Sequence, residues 1–296
     1  MLDETPFWHV ELSDGRVLEA VSGGPENGMP LVFQNGTPTA AMLFPPLVET
    51  AAARGLRTVM YSRPGYAGST AKPGRSVADA ASDVGALLDA IGADRFVTIG
   101  WSGGGPHALA CAALLVDRCA AAVSLSGVAP YPAAGLNWFA GMGPENVEEF
   151  TLTLEGDAAV TPWLEEQAKH LAAVQGSDVA AALGGLVSEV DRASLTGDFA
   201  EYVAASFRRA VSTGVAGWRD DDLAFAKPWG FDLDLMKRPV AVWQGGEDRM
   251  VPMAHGEWLA QHIAGAHKHL YPNEGHLSLG VGALDRIIDN LIELAG

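Results

Sequence analysis

Thr98-Ile99-Gly100-Trp101-Ser102-Gly103-Gly104 sets a serine among glycines where an apolar run gives way to a helical one, and this junction decides the fold. The stretch Gly100 to Gly104 has the form G-x-S-x-G. A serine on so sharp a strand-to-helix turn needs small neighbours on both sides, because the two backbones must approach each other while the serine holds a strained conformation. Its hydroxyl then stands above the sheet, and the Gly103 amide at the helix start points to where a negative oxygen would develop. A glycine-rich turn without chemistry is the competing reading. The placement between strand and helix favours the first.

Outward from the junction, the flanking pattern is that of a parallel sheet. Upstream come a helical Met42 to Arg54, a strand Arg57 to Tyr61, a helical Val77 to Ile91 and the strand Arg95 to Ile99; downstream come a helical Pro106 to Val116 and a strand Ala120 to Ser126. Strand and helix alternating in this way predict parallel strands with helices on both faces. Three β-rich runs at the start, Trp8 to Leu12, Arg16 to Ser22 and Pro30 to Gln34, predict an antiparallel opening, with Ser13-Asp14-Gly15 as a tight turn. From Pro130 to Leu235 the alternation stops and the chain reads as helical, with Pro144, Pro162, Gly176, Gly197 and Gly214 as expected helix boundaries. It resumes with a strand Val240 to Gln244, a helical Ala254 to Ile263, a strand His267 to Tyr271 and a helical Ala283 to Leu294. One α/β domain, residues 1–129 and 236–296, is therefore expected to carry a helical insertion of residues 130–235.

The G-x-S-x-G turn in this setting resembles the α/β-hydrolase family, in its capped serine-hydrolase branch. The family's chain order is serine, then an acid after a later strand, then a histidine after the last strand. Val240-Ala241-Val242-Trp243-Gln244-Gly245-Gly246-Glu247-Asp248-Arg249-Met250-Val251-Pro252 looks like the acid loop and implies Asp248 as the acid, with Glu247 as its neighbouring rival. Tyr271-Pro272-Asn273-Glu274-Gly275-His276 looks like the histidine loop and implies His276 as the base. In those roles His276 takes the proton of Ser102, and Asp248 fixes the ring tautomer. The resemblance also implies an oxyanion hole from the amides of Gly103 and Thr37, the latter in Phe33-Gln34-Asn35-Gly36-Thr37-Pro38-Thr39. Asn35 stands where the family usually has histidine and Thr39 where some relatives have glycine; Asn35-Gly36 also reads as a plain turn dipeptide. Arg63-Pro64-Gly65-Tyr66-Ala67-Gly68-Ser69 and Pro228-Trp229-Gly230-Phe231-Asp232 resemble supporting segments of the family. The insertion is expected to form a cap lining the pocket with Trp138, Phe139, Trp163 or Phe207, and Trp101 borders the pocket or packs beneath the turn.

Composition narrows the partners. The 296 residues carry 36 Asp+Glu against 19 Lys+Arg, a formal charge of −17, and there is no basic run to neutralise a polyanion, so nucleic acid and anionic membrane surfaces are not expected. Residues 130–235 hold 17 of the acids and 6 of the bases; facing the entrance, that charge would favour a neutral or cationic small-molecule substrate. Asp220-Asp221-Asp222 reads as a helix start or a solvated turn. Met1 to Val10, with Asp3 and Glu4, lacks the pattern of a signal peptide, so a cytoplasmic location is expected. The apolar tract Ala108 to Val128 is broken by Asp117-Arg118 and reads as helix, turn and strand. Cys111 and Cys119 read as packed small hydrophobes, and the alternating His267 and His269 lack a third ligand, so no metal is expected. Gly103-Gly104-Gly105-Pro106-His107-Ala108 fits the dinucleotide fingerprint G-x-G-x-x-A, but the next strand ends at Ser126-Gly127 without the acid a ribose requires; no cofactor is expected.

The expected activity is hydrolysis of a carboxylic ester or related acyl compound through an acyl-enzyme. An aminopeptidase similar to the proline iminopeptidases is the alternative; it needs a cap carboxylate for a free amine, with Glu145, Glu148, Glu149, Glu165 and Glu166 available. From a different class, the fold also serves binding proteins and cofactor-free lyases.

Overall fold

A strand buried on both faces reads as a continuous apolar run, and three such strands lie side by side in the sheet. They are β5 (Phe96–Trp101) and β6 (Cys119–Leu125), with β7 (Val240–Gly245) beside them toward the β8 edge. The computed structural model describes residues 6–296; the acidic start with Asp3 and Glu4 lies outside them. Around these three strands lie β1 (Trp8–Glu11), β2 (Val17–Gly23), β3 (Met29–Gln34), β4 (Leu56–Tyr61) and β8 (His267–Tyr271), and the sheet order is β1-β2-β4-β3-β5-β6-β7-β8. The pairs β1/β2 and β2/β4 are antiparallel and the remaining pairs are parallel. This is the expected architecture, with its antiparallel opening. Gly15 turns the first hairpin at φ 83°, and its amide donates to the Leu12 carbonyl.

Strand alternation sorts the core into two layers. Leu31, Phe33, Val97, Ile99, Ala241 and Trp243 face one side, while Val32, Phe96, Val240 and Val242 face the other. Helices α1 (Pro45–Ala52), α2 (Asp79–Ala90), α3 (Gly104–Leu114), α10 (Met253–His262), α11 (His276–Gly282) and α12 (Leu284–Ala295) accompany the sheet. The Ala108 to Val128 tract is the body of α3, a turn and β6. No described helix is long and apolar enough to cross a membrane.

Between β6 and β7 the chain forms α4 (Pro144–Glu155), α5 (Asp157–Ala173), α6 (Val179–Ala182), α7 (Glu189–Ser194), α8 (Gly197–Ala210) and α9 (Ala216–Phe225). Pro144 and Gly197 start helices as expected, but Pro162 lies inside α5. Burial of Val160 and Leu164 on either side of it carries the helix across the missing N–H, a tertiary gain that outweighs a local penalty. On α8, Phe199, Val203 and Phe207 recur every fourth residue and form its buried face. Arg209 of α8 bolts this layer to the sheet, donating to the Ala41 carbonyl and pairing with Glu19 at 2.6 Å. The Ala78 amide donates to Trp229 O at 2.8 Å, so the Pro228 to Asp232 segment docks the returning chain onto α2.

The turn between β5 and α3 is as tight as its glycines require. Ser102 sits at φ 58°, a left-handed conformation that costs a residue with a side chain on the order of 1 kcal/mol or more. A Cβ on Gly100 would lie 2.1 Å from the Gly104 carbonyl oxygen, and one on Gly104 would lie 2.0 Å from that of Gln34. Both obstacles are backbone and cannot rotate away. Gly100→Ala is therefore expected to destabilise the protein by at least about 2 kcal/mol, read as a lower urea midpoint; an unchanged midpoint would contradict this packing.

Candidate active site

Ser102 reaches its place because its own amide donates to Leu125 O at 2.9 Å, pinning the turn to β6 while the Gly105 amide donates back to Ser102 O. His276 follows β8 and Asp248 follows β7, as expected from the sequence. His276 Nδ1 lies 2.8 Å from Asp248 Oδ2. Asp248 also accepts from the amides of Met250 and Val251 through Oδ1 and from Gln244 Nε2 through Oδ2, so the carboxylate is fixed on both edges. An ionised carboxylate only accepts, so Nδ1 carries the ring proton and Nε2 is left with a free lone pair. Burial alone would push the His276 pKa down, but the charge and hydrogen bond of Asp248 outweigh it and hold the pKa above the ordinary histidine value. Glu247, the rival acid, is exposed.

Ser102 and His276 line one cavity, together with Trp101, Phe199, Tyr202 and Phe207. Ser102 also borders a second, smaller cavity, lined by Thr37, Gly103, Glu149 and Asp222 among others. The first is walled mostly by apolar groups and roofed by α8. The second is the more polar. Among the described residues, neither the Thr37 amide nor the Gly103 amide donates to a protein acceptor, which leaves two adjacent N–H groups beside the serine. A Cβ on Gly103 would come within 2.4 Å of Thr37 Oγ1, so the two segments approach closely only because position 103 is glycine. His107 Nδ1 donates to Gly103 O at 2.8 Å and orients that peptide. Burial, then Arg63, lowers the His107 pKa to about 3, so its ring stays neutral.

The loop holding Thr37 is fixed by an ion pair that its own sequence does not reveal. Arg63, after β4, donates to the carbonyls of Asn35 and Gly36 and to Thr37 Oγ1. It pairs with Asp221 of α9, which also pairs with Arg75 at 2.7 Å and accepts from Thr37 Oγ1 at 2.8 Å and Tyr66 OH at 2.9 Å. Arg63 and Asp221 are both buried, with Asp221 wholly so. Burial would raise the Asp221 pKa, but the two guanidiniums hold it well below the carboxylate range. Asn35, in place of the family's usual histidine, anchors by donating to Tyr61 O at 2.9 Å, and Thr39 Oγ1 donates to Gly36 O at 2.7 Å. The Asn35-Gly36 stretch is thus more than a surface turn.

A second carboxylate from the stretch between β6 and β7 holds the histidine. Asp191 of α7 accepts from the amides of His276, Leu277 and Ser278 at 3.0, 2.7 and 2.9 Å. It is fully buried and satisfies the first turn of α11, a site where a carboxylate meets both orphan amides and the positive helix end.

The sequence profile of the alpha/beta hydrolase fold family matches residues 29–283. The chain belongs to the alpha/beta hydrolase fold family. Among solved structures it is similar to a hydrolase from Pseudomonas aeruginosa (21% identity, 98% of this chain and 99% of that one, TM-score 0.70). It is also similar to an alpha/beta hydrolase fold protein from Nakamurella multipartita (26%, 98% and 100%, 0.66) and to a thermophilic esterase from Thermogutta terrifontis (18%, 98% and 100%, 0.69). No curated protein sequence matches it.

Within this hydrolase fold some sequence expectations hold and others need correction. Asp220-Asp221-Asp222 is neither a helix start nor a solvated turn: all three are buried within α9, where Asp221 meets Arg63, 158 positions away, Asp220 pairs with Arg219, and Asp222 lies beside Glu149. Of the expected pocket aromatics, Phe207 lines the large cavity, whereas Trp138 packs with Phe139, Phe150 and His255, and Trp163 packs beside Trp218. Trp101 does border the cavity, and its Nε1 donates to His276 O at 3.2 Å. Gly103 to Ala108 opens α3, where a Cβ on Gly105 would lie 2.7 Å from Gly127 Cα; backbone fills the space a pyrophosphate would need. Of the five glutamates, Glu149 alone lines a cavity beside Ser102, while Glu145 accepts from the Gly185 amide and Glu166 pairs with Lys169.

Asp221→Asn strands two buried guanidiniums and is expected to cost about 3–5 kcal/mol, seen as a lower urea midpoint. Asp191→Ala leaves three helix-end amides without acceptors and is expected to cost about 1–3 kcal/mol. Full stability in both variants would show that these carboxylates do not hold the loops.

Proposed function

We propose that the protein hydrolyses a carboxylic ester or related acyl substrate, with Ser102 as nucleophile, His276 as general base and Asp248 as its orienting acid. The observation that carries this reading is the His276 Nδ1 to Asp248 contact at 2.8 Å, with the ring's other nitrogen free and the ring and Ser102 lining one cavity. Ser102 Oγ attacks the carbonyl carbon as its proton passes to His276 Nε2, and the imidazolium formed is stabilised by Asp248. The amides of Thr37 and Gly103 stabilise the tetrahedral oxyanion. Collapse expels the alcohol, which takes the proton from His276 and leaves an ester on Ser102. Water, deprotonated by the same ring, then releases the acid. The apolar cavity under α8 takes the larger apolar part of the substrate, and residues 130–235 act as its cap. The esterase activity of the Thermogutta terrifontis relative accords with this chemistry.

Ser102→Ala is expected to lower kcat/KM on a p-nitrophenyl ester by roughly 10⁴-fold or more, and a variant with full activity would exclude Ser102 as the nucleophile. The base works only when neutral, so kcat/KM rises with pH as His276 loses its proton. Because Asp248 holds that pKa up, the acid limb of the profile is expected above the ordinary histidine value of about 6.5 and lower in Asp248→Asn. A limb that does not move in this variant would remove Asp248 from the role.

A further inference from the structure

Asp222 of α9 is almost completely buried, and among the described residues neither of its carboxyl oxygens meets a backbone, hydroxyl, amide or cationic donor; its hydrogen-bonding neighbour is the carboxyl group of Glu149. It lines the smaller cavity beside Ser102, as does Glu149 of α4, which is also more than nine-tenths buried. Glu149 accepts from Trp218 Nε1 at 2.6 Å through one oxygen. No lysine or arginine lines this cavity. Among the described residues, the nearby guanidiniums of Arg63 and Arg75 are paired with the neighbouring Asp221, and neither forms an ion pair with Glu149 or Asp222. Two buried carboxyl groups with unfilled acceptor sites are costly unless something supplies donors.

We propose that the Glu149–Asp222 cavity is a binding subsite for an ammonium group carried by the substrate. An ammonium offers two or three donors and a positive charge, which matches several unfilled acceptor oxygens; a hydroxyl offers one donor and no charge. The aromatic walls, Phe150 and Phe225, suit a desolvated cation. Burial raises the Glu149 pKa to about 7, although hydrogen bonds with Asp222 and Trp218 pull it down, and burial together with the Glu149 carboxyl beside it pushes the Asp222 pKa well above the carboxylate range. The empty pair thus keeps a proton, and an arriving ammonium displaces it. The position of Ser102 between the two cavities gives the substrate an apolar arm in one and an amine-bearing arm in the other. This assignment rests on the hydrolase reading only for placing the amine within a substrate; the site itself is a property of the cavity.

Two measurements on the full protein test it. Equilibrium binding of butylammonium and of 1-butanol is followed by calorimetry in the wild type, Glu149→Gln and Asp222→Asn. The ammonium is expected to bind more tightly than the alcohol in the wild type and to lose roughly 30-fold or more in affinity in each variant. Equal affinity for amine and alcohol, or ammonium binding that neither variant weakens, overturns the proposal. Next, kcat/KM is compared for two esters, one with a primary amine and the other with a methyl group in its place. The amine-to-methyl ratio is expected to exceed ten and to fall toward one in both variants. Because it is a ratio on one preparation, it does not depend on how much of a variant folds. A wild type that hydrolyses both esters at a ratio near one retires the amine site and leaves the hydrolase reading standing. A wild type that binds the ammonium in the cavity but hydrolyses neither ester retires the hydrolase reading and leaves the site.

Discussion

The buried charge of Asp221 is the constraint on which the rest of the site depends. A carboxylate wholly removed from water is tolerated only where cations and donors surround it, and here Arg63, Arg75, Tyr66 and Thr37 do so. Arg63, once recruited, has donors to spare, and it directs them at the carbonyls of Asn35 and Gly36. Holding those carbonyls helps to set the course of the peptides carrying the Thr37 amide. One ion pair thus converts a flexible Asn-Gly loop into a fixed arrangement of donors. Its planar fork is what allows Arg63 to serve a carboxylate and a loop together; a lysine would offer a point charge without that geometry.

Asp191 does for the histidine what Asp221 does for the loop. Both carboxylates come from residues between β6 and β7, and both reach groups carried by the α/β sheet. The site is therefore assembled by two parts of the chain rather than built on the sheet and merely covered. The acidity of residues 130–235 is read differently in this light. Glu149, Asp191, Asp220, Asp221 and Asp222 are buried, so a substantial share of that charge works inside the protein, on arginines, helix ends and the smaller cavity.

What the sequence discloses and what it hides follow from range. The Gly100 to Gly104 turn is legible because its constraint is local: strand, glycine, serine and helix lie within a few residues, and the collision at Gly100 arises within that span, although the one at Gly104 is with Gln34, 70 positions away. Asp248 and His276 are legible through the loops that carry them: Asp248 follows the apolar run of β7, whereas β8 is His-Lys-His-Leu-Tyr and His276 is read from the Tyr271 to His276 loop and its place after the last strand. Asp191 and Asp221 are illegible because their partners lie 85 and 158 positions away, and an acidic residue flanked by polar ones looks the same whether solvent or a guanidinium meets it. Helix α11 escapes notice for a related reason. Its seven residues include Gly280 and Gly282, poor helix formers; Gly280 is required because the Trp101 indole occupies the place of its Cβ, 2.3 Å away, and Asp191 supplies the acceptors for its first turn.

The most direct test of this assembly is a crystal structure of the protein after reaction with a fluorophosphonate. The account requires a single phosphonyl group on Ser102 Oγ, with its P–O oxygen within hydrogen-bond distance of the Thr37 and Gly103 amides and the Arg63–Asp221 pair intact behind the loop. An unmodified Ser102, or an oxygen turned away from both amides, would contradict it.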